Sequence, residues 1–106
     1  VQFYCMNFND SFKKIKNTDF IYLDPPYVPI NENSFVNYNK DGFNYEKHSS
    51  LFKLIKNLEA KFILNNSYCK LVLDYFKNFK IKQISARRAI NSKQPQSKTS
   101  EIIVYN

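Results

Sequence analysis

The sequence has a single glycine, Gly42, in 106 residues. A G-x-G-x-x-G dinucleotide fingerprint and a P-loop each need several glycines, because only a residue without a Cβ lets the backbone close on a phosphate. Neither is present, so a nucleotide-like cofactor has to be held by other means or by residues outside this chain. Tryptophan is absent and His48 is the only histidine. Cys5 and Cys69 are too few and too far apart for a disulfide framework or a ligand set, which predicts reduced, partly buried thiols and no metal. No apolar run approaches the roughly 18 to 20 residues that span a bilayer, and no signal-peptide pattern opens the chain. The expectation is a soluble cytoplasmic protein that does not touch a membrane.

Acidic residues are also scarce. Nine Asp and Glu stand against 16 Lys and Arg, for a net charge of +7. Part of that excess reflects composition: Lys, Asn, Ile, Phe and Tyr make up more than half of the chain, the bias of an A+T-rich coding genome. Its distribution is still uneven. Between Tyr75 and Ser100 lie Lys77, Lys80, Lys82, Arg87, Arg88, Lys93 and Lys98 without one acidic residue, a stretch that suits a polyanion or, more plainly, a solvated lysine-rich face. Mean hydropathy is −0.51, yet 43% hydrophobic and 17% aromatic content argue for a folded chain. At this length it is one small domain.

The apolar pattern predicts an α/β order. Gln2 to Met6 alternates weakly and reads as a short strand. Asn9 to Asn17 reads as a helix capped by Asp10 or Ser11, with Phe12 and Ile15 on one face. Phe20 to Leu23 is a buried strand stopped by Asp24-Pro25-Pro26, since two prolines donate no ladder hydrogen bonds. Tyr27 to Asn44 reads as a long polar loop, a type often functional in small domains. Tyr45 to Ala60 is an amphipathic helix on which His48 is expected to be solvated. Lys61 to Leu64 is a strand ending at an Asn65-Asn66-Ser67 turn, and Tyr68 to Asn78 is a second helix. Phe79 to Ala86 and Glu101 to Tyr105 are closing strands around a basic loop from Arg87 to Ser100. Parallel strands crossing through helices, with a terminal antiparallel pair, follow from that order.

Chemistry concentrates at Asp24-Pro25-Pro26-Tyr27. In open α/β sheets ligands bind at the carboxyl ends of strands, and here that edge carries a carboxylate, a rigid turn and an aromatic ring. An Asp-Pro-Pro triplet alone often does no more than end a strand. With Tyr27 behind it and an apolar strand in front, the tetrapeptide resembles motif IV of the amino-directed, S-adenosylmethionine-dependent methyltransferases. The resemblance continues through Pro29, Ser34-Phe35, Tyr38, Phe43 and its helix, Asn65-Asn66-Ser67, the run from Ala86 to Ser92, and Glu101-Ile102-Ile103. Together these are similar to the carboxyl-terminal portion of the Dam-type, or D12-class, DNA adenine-N6 methyltransferases. That implies a partial Rossmann-like methyltransferase sheet, S-adenosylmethionine as cofactor and double-stranded DNA as partner.

The resemblance also implies roles. Asp24 and the Pro25 carbonyl accept the two N6 hydrogens of a flipped adenine, Pro25 and Pro26 form the scaffold, and Tyr27 stacks on the base. Asp24 also faces the sulfonium of the cofactor, with Asn7 and Phe8 near its adenosine. Phe35 and Tyr38 lie by the DNA, and Arg87, Arg88, Asn91 and Lys93 grip phosphates, which sets position rather than sequence. Each of these DNA positions also has a plainer reading as ordinary loop or exposed salt-bridging residue.

The family pattern is incomplete here. A Phe-x-Gly-x-Gly motif for the methionine end of the cofactor and an inserted target-recognition domain are both missing, as the lone glycine makes plain. The expectation is a fragment that lacks the amino-terminal half of the same enzyme, has an open strand edge beside its motif strand, and neither binds cofactor tightly nor methylates DNA alone. A restriction endonuclease is a further partner the class allows. Two other readings fit the residues: an RNA N-methyltransferase with the same signature, and a non-catalytic basic module that binds DNA.

Overall fold

The structure, a computed structural model, describes residues 1–30, 42–87 and 98–106. Its elements in order are α1 (Phe8–Lys13), β1 (Phe20–Leu23), α2 (Tyr45–Lys56), β2 (Lys61–Ser67), α3 (Lys70–Phe76), β3 (Lys80–Arg87) and β4 (Lys98–Tyr105). The four strands form one sheet in the order β1-β2-β4-β3. β1 and β2 are parallel, with Phe20 opposite Lys61 and Leu23 opposite Leu64, a pairing that requires the crossover supplied by α2. β4 runs antiparallel to both β2 and β3, so it inserts between them and closes the terminal pair. The architecture is a mixed α/β sheet, partly parallel.

Register and burial sort the sheet into two unlike faces. Phe62, Leu64, Ile102 and Val104 are 1% exposed or less, and Leu64 opposes Val104, so they share one face. That face packs against Phe52 and Ile55 of α2 and Val72 and Phe76 of α3. Phe52, Phe76, Phe79 and Phe62 meet in tilted and edge-on ring pairs with centroids 5.1 to 5.7 Å apart, the geometry aromatic quadrupoles favour. The opposite face carries Tyr22, Ile63, Ile103 and Tyr105, none of them buried. β1 lies at the sheet edge, with Phe20 66% and Tyr22 61% exposed. Among the described residues no helix is long and apolar enough to cross a membrane.

Several expectations are corrected. Gln2 to Met6 forms no strand, because no strand among the described residues offers it a ladder, and Val1, Phe3 and Tyr4 are exposed. α1 starts earlier than predicted: Asn7, not Asp10 or Ser11, is its cap, the side chain accepting from the Asn9 amide. α2 ends at Lys56, short of Ala60, and α3 runs from Lys70 to Phe76 rather than from Tyr68 to Asn78. Asn65-Asn66-Ser67 is strand rather than turn, since Ile103, Ile102 and Glu101 of β4 give these residues ladder partners that outweigh their turn propensity. The last two strands reach into the predicted basic loop, β3 as far as Arg87 and β4 back to Lys98. Cys5 is exposed rather than partly buried, while Cys69 is half-buried, and both are free.

His48 is the largest correction. It is fully buried, its ring edge-on to Phe43 with centroids 4.7 Å apart and tilted against Phe52. The Asn44 side chain caps α2 by accepting from the Lys47 amide, and that start fixes which side of the first turn faces the core.

Candidate active site

β1 ends at Leu23, and its chain direction delivers Asp24 to the carboxyl edge of the sheet beside the end of β2. Asp24 and Pro26 are exposed there, and Pro25 is half-buried. No described cis peptide bond occurs, so the two prolines turn the chain by their fixed φ alone. Val28 is buried in the core directly after the motif, which drives the turn back onto the domain.

Two side chains from other strands hold this segment. The buried Asn66 of β2 accepts the Val28 amide at its Oδ1, 3.0 Å away, and accepts the Ser67 amide at 2.9 Å. From β4, Glu101 Oε2 accepts the Tyr27 hydroxyl at 3.2 Å. Glu101 alternates with the buried Ile102, so its side chain leaves the sheet on the face opposite to Asn66, which pairs with Ile102. Tyr27 and Val28 are therefore tied down from both faces of the sheet end. Burial, and then the carboxylates of Glu101 and Asp24, push the Tyr27 phenol up to about 12, so it stays a neutral hydrogen-bond donor. Nearby, Asn65 Nδ2 donates to the Tyr22 hydroxyl at 2.6 Å and links β2 to β1 on the open face.

Asn7 and Phe8 line a cavity of about 260 Å³ between the starts of α1 and α2, with Asn9, Asn44, Glu46, Lys47 and Ser50. Phe8 packs against Phe43 with ring centroids 5.8 Å apart. Asp24 to Tyr27 are not in that lining. Arg87 closes β3, its backbone opposite Lys98. Phe35, Tyr38, Arg88, Asn91 and Lys93 lie outside the described residues. Glu101 and Asn66 were not singled out from the sequence as site residues. Their contacts with the motif span 74 and 38 residues, and no local pattern announces a contact at that range.

A carboxylate, a rigid proline turn and a tethered aromatic ring stand at the carboxyl end of a parallel strand of this α/β domain, the edge at which open α/β sheets bind ligands. Comparison with known proteins narrows that class. Residues 1–90 match the family described as D12 class N6 adenine-specific DNA methyltransferase. The chain is 37% identical over 105 residues to Type II methyltransferase M1.LlaDCHI of Lactococcus lactis subsp. cremoris, covering 94% of this chain and 37% of that protein. It is 34% identical over 116 residues to Type II methyltransferase M.MjaIII of Methanocaldococcus jannaschii, covering 100% of this chain and 39% of the relative. With the DNA adenine methylase of Escherichia coli K12 the identity is 27% over 94 residues, covering 85% and 34%. The chain belongs to the D12 class of N6 adenine-specific DNA methyltransferases. It spans a little over a third of the length of these relatives.

Proposed function

We propose that this chain is part of the catalytic domain of a site-specific DNA methyltransferase that moves a methyl group from S-adenosylmethionine to the N6 amine of an adenine flipped out of duplex DNA. The observation that supports this most directly is Asp24-Pro25-Pro26-Tyr27 at the carboxyl end of β1, in a chain of the D12 class. The N6 lone pair is delocalised into the purine ring, so the amine is a weak nucleophile. Acceptors for both N6 hydrogens draw electron density back onto nitrogen, and the Asp24 carboxylate with the Pro25 carbonyl supplies two. Pro25 and Pro26 hold them in register at little entropic cost. Tyr27 offers its ring face to the extruded base.

S-adenosylmethionine supplies an electrophilic methyl group when bound. The residues here fit its adenosine end: the hollow by Asn7 and Phe8 combines an aromatic ring with the polar side chains of Asn44, Glu46 and Ser50. The glycine-rich motif for the methionine end is not among these residues, since Gly42 is the only glycine. The Asp24 carboxylate favours a sulfonium cation nearby. Phe35, Tyr38, Arg87, Arg88, Asn91 and Lys93 are the proposed DNA contacts, and a restriction endonuclease is the proposed biological counterpart.

Asp24→Ala in the full-length enzyme is the direct test. Methyl transfer to DNA is expected to fall by about a hundredfold or more, while salt-dependent DNA binding is retained. Methylation of RNA but not DNA by the wild type, or unchanged methylation after Asp24→Ala, overturns the reading. Calorimetric titration of this chain alone with S-adenosylmethionine is expected to show no tight stoichiometric complex. A tight one means the methionine end is held without the glycine motif.

A further inference from the structure

We propose that Glu101 is a positioning residue for the reaction: by accepting the Tyr27 hydroxyl it fixes the axis of the Tyr27 ring and so holds in place the ring on which the target base stacks. The inference rests on the reading of Asp24 to Tyr27 as the adenine site and adds to it a residue from the far end of the chain.

The geometry carries it in three steps. A tyrosine hydroxyl lies on the axis through Cβ and the ring, so anchoring the oxygen fixes where that axis points. The anchor is the Glu101 side chain, 3.2 Å away, on a strand paired through its backbone on both sides, to Ser67 of β2 and Ile84 of β3. A carboxylate held in the interior of a ladder is a stiffer tether than one on a loop. The second step is the main chain. The Val28 amide is bound to the buried Asn66 side chain and the Val28 side chain is in the core, so the residue after Tyr27 cannot drift. With the backbone held from one face and the hydroxyl from the other, both ends of the ring axis are fixed before a base arrives, and the freedom that remains is turning about that axis, which the in-plane preference of the phenol O–H restrains. The third step is economy of contact: the bond uses the edge of the ring and leaves its faces available. Ordering a free tyrosine at an interface costs side-chain entropy, and this tether removes part of that cost beforehand.

The hydroxyl cannot simply be serving solubility. It is half-buried against a carboxylate, and the pair is kept as donor and acceptor because the phenol does not ionise at ordinary pH.

The test is a double-mutant cycle in the full-length enzyme. Glu101→Leu is expected to lower kcat roughly tenfold and to weaken the fluorescence change of 2-aminopurine placed at the target position, the signal of an extruded and stacked base. Glu101→Gln, which keeps an acceptor, should recover kcat to within about threefold of wild type. In a Tyr27→Phe background, where the hydroxyl is already gone, Glu101→Leu should cost little more. A tenfold loss in both backgrounds means that Glu101 only supports the fold, and no loss in either means that the ring needs no tether; each result overturns the proposal. Carbon-13 labelling of tyrosine Cζ gives a readout independent of catalysis. The resonance that vanishes on Tyr27→Phe should titrate near 12 in the wild type and move toward the ordinary 10 with Glu101→Gln, and an unmoved resonance counts against the contact. If Asp24→Ala leaves methylation intact, the adenine-site reading falls. If Asp24→Ala abolishes methylation while Glu101 and Tyr27 show no coupling, only the tether falls.

Discussion

A fully buried imidazole among phenyl rings gives this protein a dependence on acid. The surroundings of His48 disfavour the charged form and lower its pKa from 6.5 to about 4. In the unfolded chain the same side chain titrates at its ordinary value. Above pH 6.5 both states are neutral and His48 adds no pH dependence. Between 6.5 and 4 the unfolded state binds the proton first, so stability falls as pH falls, by a total on the order of 3 kcal/mol. Below 4 the folded state binds it too and the loss levels off. Urea midpoints measured from pH 7 to pH 4 should show this slope, and His48→Phe should remove most of it while keeping the ring contacts. An equal slope in the variant would assign the effect to other groups. The sequence pattern places His48 in solvent because one histidine near a helix start has no apolar signature of its own. Its burial comes from Phe43 and Phe52, which only the packed helix brings to it.

Among the elements, β1 was the most legible and the end of β2 the least. An apolar run halted by two prolines has a sharp boundary, and the structure puts β1 at Phe20–Leu23, where the pattern ends. Asn65-Asn66-Ser67 reads locally as a turn, yet β4 pairs with all three residues and the Asn66 side chain is absorbed into the fold. That side chain joins β2 to the motif, so Asn66→Ala should leave the Val28 and Ser67 amides without an acceptor and cost about 2 to 3 kcal/mol. Denaturant unfolding should show the loss, and hydrogen exchange should place it at the Val28 amide first. Asn66→Asp, which keeps an acceptor, should be milder. The start of β2 has a comparable surrogate: Asn106 accepts the Phe62 amide at 3.0 Å and donates to the Ala60 carbonyl at 2.9 Å.

At the scale of the whole molecule, among the described residues the sheet is covered on one face by α2 and α3, while no element lies on the other face or pairs with the β1 edge. An unpaired edge bearing Phe20 and Tyr22 is a template for another strand. Against it stands a net charge of +7, which keeps copies apart at low salt. This chain alone should therefore be monomeric in low salt and associate as salt screens the repulsion over a Debye length of roughly 10 Å at 0.1 M. Sedimentation across a salt series would show it, and Phe20→Lys with Tyr22→Lys should shift association to higher concentration by about tenfold or more. Association that weakens with salt would point to charge pairing instead of the edge.

What the sequence determined by itself was local or additive: the order of helices and strands from α1 onward, the hard stop after Leu23, the basic excess, and the Asp-Pro-Pro-Tyr signature of the D12 class. Each is set by neighbours along the chain or by counting. What only the tertiary structure decided was which distant residues meet. β4 lies between β2 and β3, and that insertion alone brings Glu101 to Tyr27 across 74 residues and carries Asn65 to Ser67 from turn into strand. Such contacts depend on strand order and register, and those are settled by how the whole apolar face is buried, which no single segment encodes.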